Sequence, residues 1–230
     1  MRFVRFKILI FISLAIVLGA CESMLTSDKV EQRIIFPSYY AYYDASTQTL
    51  TATVTFQRDN ESGEYIKLSK KSSISFNDEV MKQQSDKDRS CYYFFEKNNI
   101  ESCPDNLQFK YTNDEGKEFS NSLTIRNIQI SNIGLNKNQD NTIKYSGATI
   151  DEDETIALML SKDGHQYEVQ PEVMDNNMLL VSAIMLQDFA TGTYDAYLLR
   201  TTYSTSVESM DRGGSVETVY HSKSYKITIQ

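Results

Sequence analysis

Between Thr49 and Arg58 the chain alternates without a break: Leu50, Ala52, Val54 and Phe56 are apolar, and Thr49, Thr51, Thr53, Thr55 and Gln57 lie between them. A period of two puts the apolar set on one face of an extended strand and the threonines on the other. A helix, with 3.6 residues per turn, would scatter those same side chains around its axis. The stretch Ile34 to Tyr43 is also rich in strand-forming residues, and Asp44-Ala45-Ser46-Thr47-Gln48 between the two runs is polar. The pair therefore predicts an antiparallel hairpin with one buried face.

Further short runs of the same kind follow. In the first half they are Glu64 to Ser69, Ser72 to Phe76, Cys91 to Glu96, Leu107 to Thr112 and Glu118 to Ile125. The last two are joined by Asn113-Asp114-Glu115-Gly116, where Gly116 can take the positive φ of a tight loop. Lys82 to Ser90 is charged and polar and reads as an exposed loop. The pattern restarts at Arg126 and Asn127, which places a domain boundary there, with 34–126 and 127–230 as the two units. The second set comprises Thr142 to Ser146, Glu154 to Ser161, His165 to Gln170, Met178 to Leu186, Thr193 to Thr202 and Val216 to Gln230. Lys162-Asp163-Gly164-His165 supplies an Asp-Gly turn. The expected class is all-β, as two consecutive antiparallel sandwiches of roughly 100 residues each.

The N-terminus is of a different character. Arg2, Arg5 and Lys7 precede an apolar run from Ile8 to Leu18 that is broken only by Ser13. The run is about half the ~20 residues of a membrane-spanning helix, and Glu22 and Ser23 follow it at once, so an export signal over residues 1–20 is the expectation. Leu18-Gly19-Ala20-Cys21 resembles the lipobox of bacterial lipoproteins. That resemblance implies that Cys21 becomes the acylated N-terminus and that the protein is held at the bacterial envelope by lipid. Glu22 to Arg33 is polar, with little apolar periodicity and no Pro or Gly, so residues 21–33 read as the lipidated N-terminus and its tether. Glu22 in place of aspartate implies the outer rather than the inner membrane, by the sorting rule of enteric bacteria.

Loss of residues 1–20 removes three basic residues from 23 and leaves 20 Lys plus Arg against 31 Asp plus Glu, a formal charge of −11. Such a surface repels phosphate backbones and excludes nucleic acid as a partner class. With Cys21 assigned to lipid, Cys91 and Cys103 remain as a pair in an oxidising compartment, and a disulfide between them is expected. The rival reading is a metal-binding or catalytic thiol. The bridge would close a loop of about a dozen residues and contribute about 3 kcal/mol.

Gly192-Thr193-Tyr194 resembles the entry to a late strand of bacterial immunoglobulin-like domains, in which a glycine turns the chain and a tyrosine packs at the sandwich corner. The resemblance implies immunoglobulin-like architecture for the two units, without the tryptophan or the inter-sheet cysteine spacing of antibody domains.

Signals of chemistry are sparse. His165 and His221 are far apart in sequence and are expected at the surface. No nucleophile elbow, zinc helix or phosphate loop occurs. Asp151-Glu152-Asp153-Glu154 enters a strand, where successive carboxylates point to alternate faces and cannot converge on a metal. No catalytic residue, metal site or cofactor is expected. The candidate ligand-binding residues are Tyr39, Tyr40, Tyr42 and Tyr43, because exposed tyrosine rings stack on sugars and dominate protein interfaces; alternation should turn about half of them inward. The expected function is non-enzymatic binding or scaffolding at the envelope, with another protein, peptidoglycan or an extracellular ligand as partner. The alternative is a carbohydrate-binding or carbohydrate-active module.

Overall fold

A computed structural model describes residues 24–85, 90–174 and 177–230; the leader 1–20 and Cys21 lie outside the described residues. The first half supplies β1 (Ile35–Asp44), β2 (Thr49–Arg58), β3 (Ser73–Phe76), β4 (Glu79–Val80), β5 (Lys82–Ser85), β6 (Cys91–Lys97), β7 (Leu107–Thr112) and β8 (Glu118–Leu123). The second supplies β9 (Ile128–Asn132), β10 (Asn141–Gly147), β11 (Glu154–Lys162), β12 (His165–Val169), β13 (Glu172–Met174), β14 (Met178–Val181), the short helix α1 (Ala183–Leu186), β15 (Gly192–Ser204), β16 (Ser215–His221) and β17 (Tyr225–Ile229). The chain is all-β, as its alternation predicts.

The strands form one large sheet and two small ones. The large sheet runs β12-β11-β15-β16-β1-β2-β6-β5, with β17 also paired to β15. The small sheets are β4-β3-β7-β8 and β13-β14-β10-β9, one from each half. The expected boundary at 126/127 falls between β8 and β9, but the large sheet does not stop there. β1 and β16 pair as parallel neighbours from Ser38↔Ser215 to Asp44↔His221, so the two halves share one sheet. Pro37, which has no N–H to give a ladder, sits just before that pairing begins.

Alternation decides which side of each strand is covered. In β1, Ile35, Tyr39, Ala41 and Tyr43 are buried; in β2, Leu50, Ala52, Val54 and Phe56 are buried. The small sheet of the first half closes over them through rings: Tyr39 lies 4.9 Å from Phe109, Phe56 4.6 Å from Tyr111, and Phe76 5.1 Å from Phe95. Tilted aromatic pairs of this kind add to the free energy of burying their area. The second half fills its core mainly with aliphatic residues, among them Ile143, Leu158, Leu160, Leu179, Val181, Leu198 and Ile229.

Four local expectations change. Residues 24–34 are not a free tether: Ser27–Lys29 and Gln32–Ile34 form 3-10 turns, and Met24, Leu25 and Val30 pack against the core. Glu64 to Ser69 is extended but carries only isolated bridges, at Tyr65 and Lys67. Lys82 to Ser85, expected as loop, is an exposed edge strand; with no buried face it has no alternation to read. Met178 to Leu186 splits into β14 and α1, because Ala183, Met185 and Leu186 are good helix formers and Asp140 Oδ1 accepts the Ala183 N–H at 2.9 Å.

The expected disulfide does not form; Cys91 and Cys103 are free. Cys91 opens β6 and Lys97 closes it, pairing with Leu50, which in turn faces Tyr43 at the far end of β1. Cys103 lies beside Tyr43. At about 3.3 Å per residue the extended strand carries the chain roughly 20 Å from Cys91, whereas a bridge needs Cα atoms within about 7 Å.

Candidate functional site

Strand alternation divides the four candidate tyrosines. Tyr39 and Tyr43 point into the core at 2% and 1% exposure, and are packing residues. Tyr40 and Tyr42 point to the opposite face of the large sheet and are half-buried there. Directly opposed residues share a face, so the register extends this surface across neighbouring strands. One row reads Phe94, Thr53, Tyr40, Glu217, Tyr203, and the next reads Glu96, Thr51, Tyr42, Val219, Thr201. Both small sheets cover the other side, and this Tyr/Thr face is partly exposed, with Val219 buried among its larger neighbours.

One end of the face carries a tighter group. The His221 ring stacks on Tyr197 at 3.9 Å, and Tyr42 meets its edge at 6.2 Å. His221 Nδ1 lies 3.3 Å from Asp44 Oδ1 without making a hydrogen bond. Asp44 Oδ1 instead accepts the Ser46 and Thr47 N–H groups, which shape the β1–β2 turn. Burial and then the Asp44 carboxylate raise the Tyr42 and Tyr197 phenols above their usual range; burial and the Glu217 carboxylate do the same for Tyr40. All three hydroxyls therefore stay protonated and can donate to a ligand. His221, expected at the surface, is largely covered, with a side-chain exposure of 14%. His165 is exposed as expected.

A second concavity of about 670 Å³ lies where the halves meet, lined by Tyr43, Cys103 and Ile125 from the first half and Gln129, Tyr220 and Lys223 from the second. The Tyr43 hydroxyl donates to Ile100 O at 2.8 Å, and its ring lies 5.6 Å from Tyr220. Burial, with Asp105 nearby, pushes the Cys103 thiol up to about 12, which leaves it a poor nucleophile at neutral pH.

The acidic run is structural at two of its four positions. Arg126 pairs with Asp151, and Arg200 with Glu154. Among the described residues there is no group of three or more His, Cys, Asp and Glu able to hold a metal ion, and no helix long and apolar enough to cross a membrane.

Tyr197 and Glu217 were not among the residues singled out from sequence, and His221 was weighed only as a surface histidine. The period of two in β15 separates Asp195, Tyr197 and Leu199 from the buried Tyr194, Ala196 and Leu198, so their face could be read. Their neighbours across the sheet could not. In comparisons with known proteins, no family model matches the chain and no curated protein matches it.

Proposed function

We propose that this chain is a lipid-anchored protein of the bacterial envelope, on the outer rather than the inner membrane, that acts without turnover by holding a partner protein on the solvent-facing side of its large sheet. The observation that carries this reading is the outward pair Tyr40 and Tyr42, set in rows of threonine and aromatic side chains and flanked by Tyr197 and His221. Large, semi-rigid rings with polar tips are the side chains that concentrate binding energy at interfaces. Glu154 is the one buried carboxylate among the described residues, and its bonds to Arg200 remove it from acid–base work. The lipid anchor rests on Leu18-Gly19-Ala20-Cys21. The immunoglobulin-like reading is supported by Tyr194, buried at the start of β15, whose hydroxyl donates to Ala190 O at 2.8 Å, four residues upstream.

The test is photo-crosslinking in intact cells from position 40 or 42, with position 39 as the buried control. A neighbour captured from the outward positions, and lost on Tyr42→Ala when probed from 40, supports the reading. A hydrolytic activity of the purified protein that disappears on changing one carboxylate removes it.

A carbohydrate partner is the second reading, favoured by the threonine hydroxyls that face Tyr40 and Tyr42 across the β1–β2 pair. Rings beside hydroxyls can stack on a sugar face while bonding its edge. A glycan array on which wild type binds and Tyr40→Ala does not would select this reading over the first.

A further inference from the structure

The segment after Cys21 becomes part of the folded body almost at once. The Lys67 N–H donates to Leu25 O at 2.8 Å, and the Ser27 N–H donates to Lys67 O at 2.8 Å. Ser27 is fully buried, and its hydroxyl oxygen accepts the Ser69 N–H at 2.8 Å. Gln32 completes the attachment, donating to Ser27 O at 2.7 Å while its Oε1 accepts the Asp114 N–H at 3.1 Å. Only Glu22 and Ser23 separate Cys21 from Met24. Three residue steps span at most about 11 Å, so whatever holds Cys21 is held close to this end of the molecule.

The same end is of mixed charge, with Asp28, Glu31 and Asp114 on it, but the loop that receives the segment, residues 67–71, carries three lysines and no carboxylate. Lys67, Lys70 and Lys71 make no ion pair among the described residues, in a chain whose net charge is −8, and Lys70 and Lys71 are exposed. Unpaired lysines suit an anionic headgroup layer.

We infer that the docked segment orients the protein on its membrane, with the 67–72 loop against anionic headgroups and the cleft between the halves facing away. This rests on the lipid anchor proposed for Cys21. The cleft's direction follows from β1, which runs from Pro37, beside the docked end, to Tyr43, at the cleft; six residues of strand separate the two by about 20 Å.

The experiment uses the full mature protein, lipidated, in vesicles of phosphatidylethanolamine and phosphatidylglycerol that carry a headgroup nitroxide. A fluorophore is attached at Lys71→Cys or at Asn98→Cys in a Cys103→Ser background, in which Cys91 is buried. Quenching is expected to be stronger at position 71 than at 98. The difference should be lost when about twelve Gly/Ser residues, a flexible coil with roughly 20 Å of reach, are inserted between Ser23 and Met24. Equal quenching at the two positions in a protein whose Cys21 is lipidated overturns the orientation and leaves the anchor standing. An unmodified Cys21 by mass spectrometry overturns both.

Discussion

Arg200 and Glu154 meet on neighbouring strands, and the guanidinium spans both carboxylate oxygens: Nε donates to Oε1 at 3.0 Å and an Nη to Oε2. Each side chain is only 1% exposed. The remaining Arg200 donors reach Asn127 O at 3.1 Å, Ala148 O at 2.7 Å and Thr149 O at 2.6 Å, which ties the junction between the halves to the middle of β15. A planar fork can satisfy a carboxylate and several carbonyls at once; a lysine cannot.

Arg200→Met should therefore be severe, because it leaves a buried carboxylate with only the more distant Arg126, at 3.7 Å, as ion-pair partner and three carbonyls without the Arg200 donors. The expected loss is about 3–5 kcal/mol in urea unfolding. Adding Glu154→Leu should recover part of it, since the stranded charge is then gone. A double variant less stable than Arg200→Met alone would contradict this account.

The same pair sets an acid limit. Burial alone would raise the Glu154 pKa, but Arg200, the Asp151 N–H and Thr202 outweigh it and bring the net value below the ordinary 4.5. Below about 4.5, and down to the lowered folded value, the unfolded chain binds more protons than the folded one. Stability from this group is full above that window and is lost as pH falls through it. The melting temperature should hold between neutral pH and about pH 5 and then drop, and Glu154→Gln should flatten the drop.

Tyr111 offers the opposite case. Its hydroxyl is buried and has no hydrogen-bond partner, while its ring packs on Phe56 and Phe119. Tyr111→Phe keeps the ring contacts and removes an unsatisfied polar atom, so unfolding free energy should stay constant or rise by about 1 kcal/mol. Tyr111→Ala should lose about 3–5 kcal/mol.

Neighbouring tyrosines should separate by parity. Tyr39→Ala opens the core against Phe109 and should cost about 3–5 kcal/mol. Tyr42→Ala, on the open face, should cost within about 1 kcal/mol while weakening partner capture. Circular dichroism melts of the two variants check the first half of this, and crosslinking yield the second.

The thiols give a direct check on the missing bridge. The denatured protein should titrate as free thiol at both Cys91 and Cys103 without reductant, and dithiothreitol should leave the melting temperature unchanged. In the native protein Cys103 should react slowly, because burial holds its pKa near 12, and Cys91 should react only on unfolding.

Much of the local structure was legible. β2 and β7 lie where their alternation puts them, because a half-buried strand must alternate. The turns at Gly116 and at Asp163-Gly164 take positive φ as their residue types demand. The bridge between Cys91 and Cys103 misled, because closeness in sequence is not closeness in space once an extended strand lies between.

What the amino-acid order alone determined, then, is parity: which of two faces each side chain takes, since that depends only on neighbours along the chain. It separated Tyr40 and Tyr42 from Tyr39 and Tyr43 as two sets. Only tertiary structure decided which set met solvent, and which distant strand came alongside. The parallel pairing of β1 with β16, which makes two halves one sheet and brings His221 to Tyr42, joins residues some 180 positions apart through backbone bonds that any sequence can form. Such bonds carry no residue signature, so that contact had to be seen in three dimensions.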